Sequence, residues 1–148
     1  MTQTTAQVSK TIDATPHKVW SALTSPEKLK KFFFGAEIET DWKPGHSIRF
    51  RGEMKGKRYE DKGEIQTVEK DKVLSFSHWS PLSGTSDTKE NYHVVTFDLE
   101  PEGSKTKVTL TQSNLDGTVK ESDTKNREQF EKNWSAVLEG LDKVSTGA

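Results

Sequence analysis

Phe130, Trp134, Val137, Leu138, Leu141 and Val144 recur at three- and four-residue steps, so a helix across them places them all on one face. The stretch before it, 46–113, alternates apolar with polar residues, as half-buried antiparallel strands do. A chain with both patterns has few folds open to it. The expectation is an α+β domain in which a curved antiparallel sheet grips one long C-terminal helix. A pocket between the two is the expected seat of function.

Two proline signals add helices after the first strand. Val8–Ile12 reads as that strand. Thr15 then serves as an N-cap with Pro16 at the first helical position, where its missing N–H costs nothing. Ser25-Pro26 repeats the signal. The first short helix buries Val19, Trp20 and Leu23; the second carries Leu29, Phe32 and Phe33. A strand over Ala36–Trp42 closes at Lys43-Pro44-Gly45-His46, which suits a type II turn. On the outer face of the last helix, Glu128 with Lys132 and Glu139 with Lys143 are spaced for pairs worth roughly 0.2–0.5 kcal/mol each.

Composition sets further bounds. The 148 residues suit one domain, placed at 8–146, with the polar, threonine-rich 1–7 expected to be disordered. Lysines and arginines nearly balance acidic residues, at a formal net charge of −1. That balance argues against a nucleic-acid partner, whose phosphates demand a concentrated basic surface. With no cysteine, disulfides, thiol nucleophiles and thiolate metal sites are excluded. The longest apolar cluster, Phe32-Phe33-Phe34, is too short for membrane insertion. The expected location is the cytoplasm.

Treating each turn as a simple hairpin registers the strands, because a one-residue slip would turn a strand inside out. One expected row joins Thr67, Leu74, Phe97 and Val108; the next joins Ile48, Ile65, Phe76, Val95 and Leu110. A third joins Phe50, Gly63, His78, His93 and Gln112, with Gly63 giving Phe50 bare backbone to lie over. The concavity should be greasy at one end and polar near the 80–90 loop, which its composition marks as mobile. Phe50, Phe76, His78, His93, Val95, Gln112, Phe130, Trp134 and Leu138 are the candidate ligand-binding residues. His78 and His93 could orient a polar head, exchange a proton or sit as plain hydrogen-bonded histidines at a wet rim. A metal would want a third ligand; Gln112 is a poor one and Asp61 falls a row away. No metal, cofactor or catalytic residue is assigned. Lys10, inward on the first strand, should snorkel to the sheet edge, and His17 and His46 should be solvated.

The run Ala14-Thr15-Pro16-His17-Lys18-Val19-Trp20 to Glu27 resembles the opening signature of the START-like, or SRPBCC, superfamily. Within it the chain is most similar to the activator of heat-shock-protein-90 ATPase homologue domain. Trp42-Lys43-Pro44-Gly45, Val73 to Trp79 and Asn133 to Leu141 resemble its turn, central strand and closing helix. The resemblance implies a helix-grip fold. It implies a cavity for a small apolar or amphipathic molecule, or a stress-response module that docks on a chaperone; a minority of such proteins are cavity enzymes such as cyclases. Non-catalytic ligand binding is the leading expectation, with chaperone docking next and catalysis through His78 or His93 after it. Unpaired strand edges would allow a monomer or a homodimer.

Overall fold

A computed structural model describes residues 4–33, 35–81 and 84–146. Phe34, in the apolar cluster noted above, lies outside them, as do positions 1–3, 82, 83, 147 and 148. The strands are β1 (Thr4–Ile12), β2 (Glu37–Glu39), β3 (Ser47–Met54), β4 (Lys57–Glu69), β5 (Val73–His78), β6 (His93–Glu102) and β7 (Lys105–Asn114). The helices are α1 (Pro16–Leu23), α2 (Pro26–Phe32) and α3 (Glu121–Thr146). One seven-stranded sheet runs β1-β7-β6-β5-β4-β3-β2, antiparallel throughout. The helix-grip arrangement is present: α1 and α2 follow the first strand, and the 26-residue α3 packs against β1, β7, α1 and α2.

Local chemistry sets the helix starts. Thr15 accepts the Lys18 N–H at 3.4 Å and Ser25 the Lys28 N–H at 3.5 Å, each with proline just inside. Val19, Trp20, Leu23, Leu29 and Phe32 are buried, and from α3 so are Val137, Leu138 and Leu141. They join the inward residues of the sheet in one hydrophobic cluster. Lys10 does not simply snorkel; it reaches α3, 3.1 Å from Glu139 and 3.6 Å from Asp142. Glu139 is thus turned to β1 rather than to Lys143, and among the described residues the intrahelical ion pair on α3 is Arg127–Glu131.

Several expectations change. β1 begins at Thr4, so Thr4–Gln7 are ordered strand: Ala6 pairs with Gln112 and buries its methyl. The second strand shrinks to Glu37–Glu39, because the Asp41 carboxylate folds the chain back by accepting the Lys43 N–H at 3.0 Å and meeting His46 Nδ1 at 2.6 Å. His46 also pairs with Asp41, and His17 with Asp71 at 3.3 Å, while both imidazoles are exposed to solvent as expected.

The register differs in two ways. Met54 pairs with Lys57 across a two-residue turn in which Lys55 and Gly56 both have positive φ, of 52° and 80°. A similarly tight turn at Gly103-Ser104 joins Glu102 to Lys105. Tighter turns slide both hairpins by two residues. Phe97 therefore faces Leu110, Val95 faces Gln112, His93 faces Asn114, Ile48 faces Gly63 and Phe50 faces Asp61. A two-residue slide preserves which face each side chain takes. Between Ile65 and Thr67 a β-bulge does change it: Val68 takes the place opposite Leu74, and Thr67, expected inward, is exposed. The expected pairings Leu74–Phe97, Phe76–Val95 and His78–His93 are all present.

Candidate functional site

A cavity of about 220 Å³ lies between the concave sheet and the N-terminal half of α3. From the sheet, β3 contributes Phe50, β4 Tyr59 and Asp61, β5 His78, β6 His93 and Val95, and β7 Gln112. Opposite them, α3 contributes Phe130, Asn133 and Trp134, while Phe33 and Ala36 close the side next to α2. Seven of the nine candidate residues from the sequence line this space: Phe50, His78, His93, Val95, Gln112, Phe130 and Trp134. The other two do not. Phe76 stands behind the wall, its ring 5.6 Å from that of Phe50 and 6.2 Å from that of Phe33. Leu138, 1% exposed, is one turn further along α3 than Trp134 and closes on the core.

The apolar wall is a chain of touching rings. Phe33 stacks on Phe50 at 5.6 Å and tilts against Trp134 at 6.0 Å; His93 and Phe130 meet at 6.3 Å. Trp134 is half-buried, and its indole N–H donates to Gln112 Oε1 at 2.8 Å. Gln112 in turn donates from Nε2 to Thr5 Oγ1 at 2.9 Å. One end of that amide thereby fixes α3 to the sheet, and the other ties β7 to β1. Gln112 borders the cavity while its polar atoms face protein partners.

The polar end is built around Asp61, which was expected a row away. The two-residue slide of β3 against β4 puts it opposite Phe50, and its Oδ2 lies 2.9 Å from His78 Nε2. Gly63, two residues further along β4, makes that approach possible: a Cβ there would stand 1.7 Å from the Ser77 carbonyl oxygen, so only glycine lets β5 come this close. Gly52 does for Tyr59 what Gly63 was expected to do for Phe50. The Tyr59 ring lies over it, with the hydroxyl 2.4 Å from where a Cβ would be.

The electrostatics follow from burial. Asp61 is 9% exposed, and its Oδ1 has no hydrogen-bond partner among the described residues. His93 Nδ1 is likewise buried and unpartnered among them. Burial pulls the His93 imidazole below its ordinary 6.5, helped by the nearby His78 and opposed chiefly by Asp123. Burial, then the Asp61 charge, raises the Tyr59 hydroxyl above its usual value. Among the described residues no group of three or more histidine, aspartate or glutamate side chains is placed to hold a metal ion. No helix of the described residues is long and apolar enough to cross a membrane.

Tyr59, Asp61, Phe33, Ala36 and Asn133 are the lining residues that sequence reasoning missed. The inward parity of Tyr59 and Asp61 was visible; the tight Lys55-Gly56 turn that brings them to the cavity was the overlooked signal. Beyond the cavity mouth, the loop expected to be mobile holds a hydrogen-bond network across its described part. Trp79 Nε1 donates to Thr85 at 3.1 Å, Asn91 Nδ2 to the Ser86 carbonyl at 2.9 Å, and the Tyr92 hydroxyl to Asp87 at 2.5 Å. The Asp87 contact, after burial, helps push the Tyr92 hydroxyl up to about 12.

Comparison with known proteins places this geometry. The family described as activator of Hsp90 ATPase homolog 1-like protein matches residues 13–146. The chain belongs to that family. Among solved structures, ChR145 from Cytophaga hutchinsonii is similar at 45% identity, over 93% of this chain and 90% of that one, with a TM-score of 0.76. MLL2253 from Mesorhizobium loti is similar at 21% identity, over 93% of this chain and 95% of that one, with a TM-score of 0.70. CalU16 from Micromonospora echinospora is similar at 20% identity, over 94% and 74% of the respective chains, with a TM-score of 0.67. At those two lower identities the likeness is one of fold. No curated protein matches the sequence.

Proposed function

We propose that this member of the Hsp90 ATPase activator homolog 1-like family binds, without chemical change, a small apolar or amphipathic molecule between its sheet and α3. The observation that carries the reading is the cavity's graded lining: a wall of Phe33, Phe50, Phe130 and Trp134 at one side, and Asp61, His78 and His93 at the other. Binding sites for small molecules have this make-up, mostly apolar with few polar groups to orient the guest. At about 220 Å³ the space lies below the roughly 300–1,000 Å³ of sites for drug-sized ligands. A guest of a single ring with a short polar tail fits; a sterol does not.

A thermal-shift screen of one-ring compounds tests this, with Asn133→Phe as the control. Asn133 lines the cavity from an exposed position on α3, so a phenyl group there fills the space without disturbing the core. Wild type should gain stability from a subset of the compounds and the variant should gain none. A set of compounds that stabilises neither protein, or both equally, contradicts the reading.

A second reading rests on the 2.9 Å contact of Asp61 with His78, since a carboxylate that orients an imidazole is the usual support of a general base. Under it, His78→Gln abolishes turnover of any guest the protein converts; an unchanged rate removes it. Chaperone docking through the 49–58 hairpin, which carries Arg49, Arg51, Lys55, Lys57 and Arg58, has less behind it. Arg49 and Arg51 are already held by Glu60, at 2.6 and 2.9 Å, and Arg51 by Glu39 at 2.6 Å. An ATPase assay with the cognate chaperone decides it.

A further inference from the structure

The polar end of the cavity has unmet valences that a purely apolar guest would leave open. Asp61 gives Oδ2 to His78, while its Oδ1 is buried with no donor among the described residues. A buried carboxylate oxygen without a donor is costly, and native structures keep few of them. On the neighbouring strand, His93 stands directly opposite His78 and its Nδ1 is open in the same way. Burial favours the neutral ring at His93, which leaves one ring nitrogen able to accept. Of the other polar groups that line the cavity, Gln112 and the Trp134 indole bind each other.

Charge narrows the choice of guest. Among the described residues that line the cavity there is no lysine or arginine, and Asp61 is the one carboxylate. A guest with its own carboxylate would bring a like charge to Asp61 with no permanent cation to offset it. A hydroxyl supplies a single donor hydrogen. An ammonium group supplies three in a compact head, brings the opposite charge, and is attracted to the π faces of the surrounding rings.

We propose that the cavity selects a compact one-ring molecule bearing a protonated amine, which pairs with the Asp61 carboxylate while its ring lies among Phe33, Phe50, Phe130 and Trp134. This rests on the cavity being a binding site, as proposed above. His78 keeps Asp61 oriented from the other oxygen. The amine is thus matched in charge by the one carboxylate among the described residues that line the cavity.

Three ligands of matched shape separate the amine from the cavity itself: phenethylamine, phenethyl alcohol and hydrocinnamate. Each is titrated calorimetrically at neutral pH into the full chain, as wild type, Asp61→Asn and Asn133→Phe. Wild type should bind the amine at least about tenfold more tightly than the alcohol, with hydrocinnamate weakest. Asp61→Asn should bring the amine to the alcohol's affinity while leaving the alcohol unchanged. The wild-type ranking stands as a test even if that variant folds poorly. Equal or tighter binding of the alcohol or hydrocinnamate overturns the amine preference, as does an amine affinity indifferent to Asp61→Asn in a folded variant. If Asn133→Phe then still blocks the alcohol, the cavity survives as a binding site. Failure of all three ligands to bind wild type overturns both proposals.

Discussion

Two residues show how burial turns ordinary groups into sensitive ones. His93 is depressed below 6.5 chiefly by burial, with Asp123, His78 and Lys120 as its charged neighbours and the Asn114 side chain as a hydrogen-bonding one. Between that depressed value and 6.5 the unfolded chain binds more protons at this site than the folded protein does. Stability from His93 is therefore complete above the window and declines as pH falls through it. Melting temperatures taken from about pH 8 to about pH 5 should drop on the acid side, and His93→Gln should flatten that part of the curve. An identical slope in the variant would show that His93 is not buried neutral. Gln112 is sensitive for another reason. Gln112→Leu takes the acceptor from the Trp134 indole and the donor from Thr5, a loss of about 1–3 kcal/mol. At about 2–4 °C per kcal/mol for a chain of this size, the melting temperature should fall by several degrees. The Trp134 fluorescence should shift with it; a variant as stable as wild type would show that this link between β7 and α3 carries little.

Among the elements, the β4–β5 pairing places the polar end of the site. Gly63 admits the Ser77 backbone, and Asp61, two residues away, then meets His78. Gly63→Ala sets a methyl 1.7 Å from a backbone oxygen that cannot rotate away. Overpacking of this kind costs about 1–3 kcal/mol, and the strands must separate locally to relieve it. Chemical denaturation should report the loss, and the His78 ring resonances should move as its contact with Asp61 lengthens. Unchanged stability would mean that β4 and β5 are further apart than described. The same pair of strands shows what a sequence can and cannot disclose. The simple-hairpin register placed His78 opposite His93, and period-two alternation set the inward faces away from the bulge. Alternation is blind to a slide of two residues, which leaves every side chain on its own face, so the tightness of the Lys55-Gly56 and Gly103-Ser104 turns went unread. A single bulged residue at Ile65–Thr67 was equally invisible, since alternation predicts only unbroken ladders.

At the level of the molecule, the architecture was legible because several independent signals agreed. The α3 stripe, the capped starts at Thr15 and Ser25, and the alternation through 46–113 admit few arrangements besides a sheet closed by a helix. The cavity was half legible. Its aromatic wall came from that stripe, whereas its acidic end depended on register and could be found only once the strands were aligned. Fold and site are therefore linked by one physical fact: α3 rests on the sheet through Val137, Leu138 and Leu141 but stands off it at Phe130 and Trp134, which are only half-buried. The gap left there is the cavity. The Trp134 indole N–H, anchored on Gln112 at 2.8 Å, reports on it, and a two-dimensional NMR titration with one-ring amines and alcohols reads it out. Saturable shifts at the Trp134 indole and at His78 and His93, absent in Asn133→Phe, are expected of a guest held in the gap. Shifts confined to the outer face of the sheet, or the same response in Asn133→Phe, would mean that nothing binds between sheet and helix.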